Sequence, residues 1–174
     1  ERLVITEGKW RLFPQNSNPQ DLVKEIEGFN TGWCIAGEAT AERYLSRSDL
    51  YIYFSKDNEG NDTIPRVATV FNRSLNRITE IRGIAEDQNL DQYIAPVVKK
   101  ALTEGLEIEG EKRKLPGSER YIQAAEDMDK LADIYIKHLK NQELTPEELR
   151  FLYEIDREII GFGHERDERI EEIL

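Results

Sequence analysis

Leu50-Tyr51-Ile52-Tyr53-Phe54 is an aromatic and β-branched run, and turn chemistry follows it at once in Lys56-Asp57-Asn58-Glu59-Gly60-Asn61. Residues 64–71 then alternate through Val67, Thr69 and Phe71, and Asn72-Arg73-Ser74-Leu75-Asn76 turns the chain again. Arg77-Ile78-Thr79-Glu80-Ile81-Arg82-Gly83 sets charged against apolar residues. Three strands joined by short turns predict an antiparallel meander. Their alternation predicts one buried and one wet face. A helix over residues 88–102 is expected to cover the dry face, with Tyr93, Ile94, Val97, Val98, Ala101 and Leu102 on one stripe. Pro96 falls early in it, where a missing backbone donor costs least.

Upstream, Leu3-Val4-Ile5 and Trp10-Leu12-Phe13 are two apolar clusters divided by Glu7-Gly8-Lys9, which suits a hairpin or a strand feeding a turn. Asn18-Pro19 predicts a helix start, with Leu22, Val23, Ile26 and Phe29 at helical spacing and Gly28 and Asn30 closing it. Residues 38–46 predict a short helix with Ala41, Tyr44 and Leu45 inward.

Downstream, residues 105–117 are rich in Gly, Glu and Lys and are expected to be a linker. Beyond it the pattern is helical. Tyr121, Ala124, Ala125, Met128, Leu131, Ala132, Tyr135 and Leu139 fall on one face of a long helix. Thr145-Pro146-Glu147-Glu148 is a strong helix start, because the Thr hydroxyl and the Glu148 carboxylate can cap reciprocally. Leu149, Leu152, Tyr153, Ile155 and Ile159 extend that second helix until Gly161-Phe162-Gly163 breaks it, and Asp167 begins another. The expected organisation is an α+β domain over residues 1–104, a linker over 105–117 and an acidic helical hairpin over 118–174. The sheet is expected to have three to five antiparallel strands and to be covered by helices.

Charge narrows the function classes. The 174 residues carry a net charge of −11. Residues 105–174 hold 19 acidic against 11 basic side chains (net −8), and residues 1–104 hold 16 against 13 (net −3). No basic block is longer than Lys112-Arg113-Lys114, so the basic face that releases phosphate counterions is missing and nucleic acid is disfavoured. No stretch reaches the roughly 18–20 apolar residues that span a bilayer, and no basic-then-apolar leader opens the chain. A cytoplasmic protein bound to no membrane is expected. The chain starts at Glu1 and ends within a helical pattern, so a fragment of a larger protein is expected too.

The one segment that looks chosen for chemistry is Asn30-Thr31-Gly32-Trp33-Cys34-Ile35-Ala36-Gly37. It holds the sole cysteine, between two glycines and just before a helix start, where the macrodipole can acidify a thiol. A cysteine nucleophile usually needs a base, and the only histidines, His138 and His164, lie in the helical tail. Free cysteine is also among the most buried residue types, so Cys34 as a small core residue beside Trp33 is the preferred reading. Asp57, Glu59, Asn61 and Asp62 offer oxygens in one turn, but the glycine that a calcium loop needs sixth is fourth here, at Gly60. A plain hairpin turn is expected, with no metal and no cofactor. Gly105 and Gly110 lack phosphate-loop spacing. Glu80, Arg82 and Asn89 form a candidate polar cluster at the sheet edge.

Cys34, Tyr44 in a helix, an apolar strand at 50–54, a strand led by Pro65, and Glu80-Ile81-Arg82-Gly83 followed by Asn89 together resemble the PcfJ-like domain of conjugative plasmids and phages. The resemblance covers about residues 30–104. Where that family has His before Cys this chain has Trp33, and Ile35-Ala36-Gly37 replaces its usual Gly. The resemblance implies a fold and a site, and no reaction.

The leading expectation is a non-catalytic module that binds protein through its helical part. The alternative is a thiol-dependent hydrolase or transferase with Cys34 as nucleophile. Amides near Gly37 would stabilise an oxyanion, and Arg82 or Asn89 would orient substrate. The candidate site residues are therefore Cys34 for catalysis and Trp33, Gly37, Tyr44, Glu80, Arg82 and Asn89 for binding. A third reading has single-stranded nucleic acid on Tyr51, Tyr53, Arg66 and Arg82 of the sheet.

Overall fold

The computed structural model describes residues 7–29, 35, 37–84, 95–163 and 165–174. Its centre is a four-stranded antiparallel sheet in the order β1 (Gly8–Phe13), β2 (Ser48–Lys56), β3 (Asp62–Asn72) and β4 (Arg77–Gly83). The expected meander is β2 to β4. The Trp10 cluster adds the fourth strand, pairing from Gly8↔Ser55 to Phe13↔Leu50.

The turn after β2 closes on Asp57, whose Oδ1 accepts from the Glu59 and Asn61 amides, each at 2.9 Å, and whose Oδ2 accepts from the Thr63 hydroxyl at 2.8 Å. These bonds, the Asn61 amide first, hold its carboxyl below the usual Asp range. Helix α1 (Pro19–Ile26) begins as expected: the Asn18 side chain accepts from the Gln20 amide at 3.0 Å and Pro19 takes the first position. Helix α2 (Glu38–Leu45) buries Ala41 and Leu45 and half-buries Tyr44.

The expected wet face does not exist. Eight consecutive residues of β2 are buried, because the sheet is roofed on both sides. On the first face Leu50, Ile52, Phe54, Ala68 and Val70 pack against Leu22 and Ile26 of α1 and Ala41 and Leu45 of α2. On the second face Tyr51, Tyr53, Val67 and Ile81 meet Val98, Ala101 and Leu102 of α3 (Ala95–Glu104), the expected cover. Residues 88–94 of that expected helix lie outside the described residues. A strand covered on both faces has an almost unbroken apolar run, which is what Leu50 to Phe54 shows once Tyr is counted as a large hydrophobe with a polar tip. Burial, then the charges of Asp62 and Glu7, push the Tyr53 hydroxyl up to about 12.

This overturns the nucleic-acid reading of the sheet. Tyr51 and Tyr53 are each 3% exposed and offer bases no ring face. Arg82 pairs opposite Ala68 and so lies on the other face from them.

At Gly8, β1 leaves no room for a side chain against β2. A Cβ there would stand 2.4 Å from the Phe54 carbonyl oxygen and 2.5 Å from the Tyr53 ring. A backbone carbonyl in a central strand has nowhere to move. Gly8→Ala is therefore expected to lower the unfolding free energy by about 1–3 kcal/mol, read as a lower denaturant midpoint at unchanged slope. A variant as stable as wild type would show that β1 is free to shift.

Residues 105–117 do not form an extended linker. They fold into a two-stranded hairpin, β5 (Leu106–Ile108) and β6 (Glu111–Arg113), whose Leu106 and Ile108, with Leu115 beyond, are buried in the second-face core. The segment is then tied to the sheet by the Ile78 amide, which donates to the Pro116 carbonyl at 2.9 Å. Gly117 follows at φ +81, and a Cβ there would meet the Arg77 Cβ at 2.8 Å.

The C-terminal region is helical. Helix α4 (Glu119–Leu139) buries Tyr121, Ala124, Ala125, Met128, Leu131 and Ala132 as expected, and Asp127 and Ile134 as well. Leu139, expected inward, is 61% exposed. Helix α5 (Pro146–Leu152) opens with the expected reciprocal cap: the Glu148 amide donates to Thr145 Oγ1 at 3.1 Å and the Thr145 amide to Glu148 Oε2 at 2.9 Å. It stops at Leu152 rather than running on through Ile159. The Ile155 amide bonds the Arg150 carbonyl and the Glu154 amide bonds the Phe151 carbonyl, with Glu154 left-handed at φ 54, which is a Schellman stop. Tyr153 and Ile155 are consequently exposed. Helix α6 (Glu168–Ile173) starts on Asp167 as expected. Leu152 and Ile170 join Met128, Leu131 and Ile134 of α4 in a third apolar cluster. Among the described residues, no helix is long and apolar enough to cross a membrane.

Candidate functional site

Trp33, Cys34, Asn89 and His164 lie outside the described residues. Of the remaining candidates, the structure brings three together. Glu80 stands between two partners: the Tyr44 hydroxyl donates to its Oε2 at 2.9 Å, and Arg82 Nη1 lies 3.5 Å from its Oε1.

Two local features create this cluster. On α2 the helical period turns Tyr44 inward with Ala41 and Leu45. On β4 a bulge interrupts the ladder: Val70 pairs with Glu80, but the next β3 residue, Phe71, pairs with Ile78. Thr79 is the extra residue. Strict alternation would leave Ile78, Glu80 and Arg82 on one face. With the bulge, Ile78 and Ile81 enter the second-face core, while Glu80 and Arg82 point to the α2 side. The conflict between an apolar Ile78 and a charged Arg82 on one face is thereby removed.

Gly37 does not join the cluster. It caps α2 without a side-chain hydrogen bond, and it is exposed. Tyr44 lies seven positions further along, about 10 Å at 1.5 Å per residue. Any anion held by the first-turn amides of α2 would therefore sit at the opposite end of the helix from Glu80.

Beside the cluster is a cavity of about 330 Å³, between the C-terminal end of α2 and the ends of β2, β3 and β4. Its floor is Ser48, Asn72, Val70 and Glu80, which the register places side by side through Ser48↔Asn72 and Val70↔Glu80. Arg43, Tyr44 and Arg47 form the roof, with Thr79 at the bulge. Sequence reasoning did not single out Arg43, Arg47, Ser48, Asn72 or Thr79. The available signal was the spacing of Arg43 and Arg47, four apart at the end of a short helix. Elsewhere, Asp57 spends its oxygens on the turn. Among the described residues no three His, Cys, Asp or Glu side chains come together as a metal site. The arrangement at the cavity suits binding of an anionic group; Glu80, its one carboxylate, is engaged by Tyr44 and Arg82.

No protein-family model, no curated protein and no solved structure matches this chain.

Proposed function

We propose that the chain is a non-catalytic, protein-binding module of a larger cytoplasmic protein, related to the PcfJ-like domains over residues 30–104, and that it binds through its helical region. One observation carries this reading. Among the described residues six large hydrophobic side chains are exposed, and five of them, Leu139, Leu149, Tyr153, Ile155 and Leu174, belong to residues 139–174. Leu149 and Tyr153 are four apart at α5 and share an exposed face. Exposed apolar side chains concentrated in one stretch of the chain support an interaction site there more than scattered single ones do. The surplus of acid over residues 105–174 selects the partner's chemistry: an amphipathic segment with Lys or Arg beside its apolar stripe.

Titration with a basic amphipathic helical peptide, followed by amide NMR, tests the reading. Saturable shifts are expected over residues 139–155, with affinity reduced by about tenfold or more in Leu149→Glu and Tyr153→Glu. Both positions are exposed, so the variants should keep the wild-type thermal midpoint. Shifts that are absent, or equal in the variants, would remove the proposed surface. Because Cys34 is the sole cysteine, bulk alkylation reads it alone. A rate at neutral pH no faster than that of a cysteine peptide is expected; one about tenfold faster would favour the thiol enzyme instead.

A further inference from the structure

The cavity at the end of α2 has a composition that the protein-binding reading does not use. In a chain with 35 acidic residues, Arg43 and Arg47 have no ion-pair or side-chain hydrogen-bond partner among the described residues. Ser48 is 4% exposed, lines the same cavity, and its hydroxyl is likewise unpartnered there. Asn72 spends its Oδ1 on the Leu75 amide at 3.0 Å, which leaves its side-chain N–H groups as donors. The groups left over are therefore donors and positive charges.

A charge count shows what is missing. The C-terminal end of α2 attracts cations, but the macrodipole there amounts to only about half a negative charge. Two guanidiniums exceed it several-fold. Glu80 does not make up the difference, because Arg82 and the Tyr44 hydroxyl already hold it. A surplus of more than one positive charge remains at the mouth of the cavity.

We infer that this cavity is a binding site for a small organic phosphomonoester, with Arg43 and Arg47 holding the phosphate and Ser48 and Asn72 donating to its oxygens. A phosphomonoester carries about −1.5 to −2 at neutral pH and matches the surplus, where a single carboxylate would leave about half a charge unmet. Guanidinium forks pair with phosphate oxygens bidentately, which a point-charge ammonium does not. The volume of 330 Å³ lies at the small end of ligand cavities, and the half-buried Tyr44 lines it, so it has room and some apolar surface for the organic part. Nothing in this depends on the helical region.

The test titrates the whole chain with phenyl phosphate at physiological ionic strength and follows the amides of residues 43–48 and 70–80 by NMR. Inorganic phosphate, benzoate and a phosphoserine peptide serve as comparison probes. Saturable shifts at those amides are expected, with phenyl phosphate preferred over inorganic phosphate and over benzoate by about tenfold. Arg43→Ala and Arg47→Ala should each weaken binding by about tenfold or more at an unchanged thermal midpoint, since both side chains are exposed. Arg47→Lys should recover only part of the loss, because it restores charge without the fork. Affinity should fall as pH drops through about 6, where the phosphate takes up its second proton. No saturable binding, equal binding of benzoate, or affinity unchanged in the arginine variants would overturn the assignment. Tighter binding of the phosphopeptide than of phenyl phosphate would overturn it as a small-molecule site.

Discussion

Phe54→Ala is expected to lower the unfolding free energy by about 3–5 kcal/mol, the usual range for deleting a fully buried aromatic ring. Phe54 is 0% exposed, in a central strand, with Lys9 of β1 on one side and Pro65 of β3 on the other. Its ring packs with Leu22, Ile26 and Leu45 in the first-face core, and the Arg11 guanidinium lies 5.4 Å from its centroid. Arg11 in turn reaches Glu25 of α1 at 3.1 Å, so losing the ring loosens the helix as well as the sheet. Domains of this size have only about 5–15 kcal/mol of net stability, so one substitution removes a large part of it. Leu75→Ala is the control: that side chain is 55% exposed, and its loss should cost under about 0.5 kcal/mol. Urea unfolding of the two variants side by side decides the matter. Equal midpoints would mean that the first-face core does not hold the sheet.

The second large effect is expected at Arg157. Asp127 is 2% exposed, on the inward side of α4. Its carboxylate accepts from Arg157 Nη1 at 2.7 Å and Nη2 at 2.5 Å, from Gln123 Nε2 at 3.0 Å and from the Ile160 amide at 2.9 Å. Burial raises its pKa, but the Arg157, Ile160 and Gln123 bonds outweigh burial, and the net shift is downward. Arg157→Ala leaves a buried carboxylate with two neutral donors, so a loss of about 3 kcal/mol is expected, the lower end for a broken buried pair because Arg157 itself is half-exposed.

The pH dependence gives a sharper test. In the wild type the folded pKa lies below that of the unfolded chain, so Asp127's contribution is complete above about pH 4 and is lost as pH falls through the folded value. In the variant the guanidinium is gone and only the Ile160 and Gln123 bonds still oppose burial, so the folded-state pKa rises relative to wild type. The stability gap between wild type and variant should therefore narrow below about pH 4. Hydrogen exchange at Ile160 should quicken in the variant. A gap that widened in acid would show that Asp127 is not charged in the native protein.

Local chemistry was legible wherever a residue acts on its own neighbours. The Asn18-Pro19 start, the Asp57 turn and the Thr145 to Glu148 cap each close within six residues, and all three stand as expected. The meander at 48–83 was legible for the same reason: its turns are short and its strands adjacent. The stop of α5 was not. Asn141 ends α4 in the left-handed region, where Asn is favoured, but Glu154 takes the same role after α5, and nothing in a glutamate announces it. The Asp127 clamp left a fainter trace. Residues 124, 127, 128 and 131 share one helix face, so a carboxylate lay on an apolar stripe, but its partner Arg157 is 30 residues away.

The cluster of Tyr44, Glu80 and Arg82 divides in the same way. Tyr44's inward position follows from helical period, which the sequence carries. Glu80's direction follows from the bulge at Thr79, which depends on how β4 meets β3. The cavity between Arg43, Arg47 and Ser48 follows from both.

The amino-acid order by itself determined where the first helices begin and that residues 50–82 form an antiparallel sheet of three strands. Those outcomes rest on contacts within a few residues, where propensity and capping decide. Only the tertiary structure decided that both faces of the sheet are roofed, that residues 105–117 belong to the core, and that Glu80 turns toward α2. Each of these depends on which apolar stripe finds which surface across tens of residues, and burial is non-directional, so the same pattern of apolar residues is compatible with several partners until packing selects one.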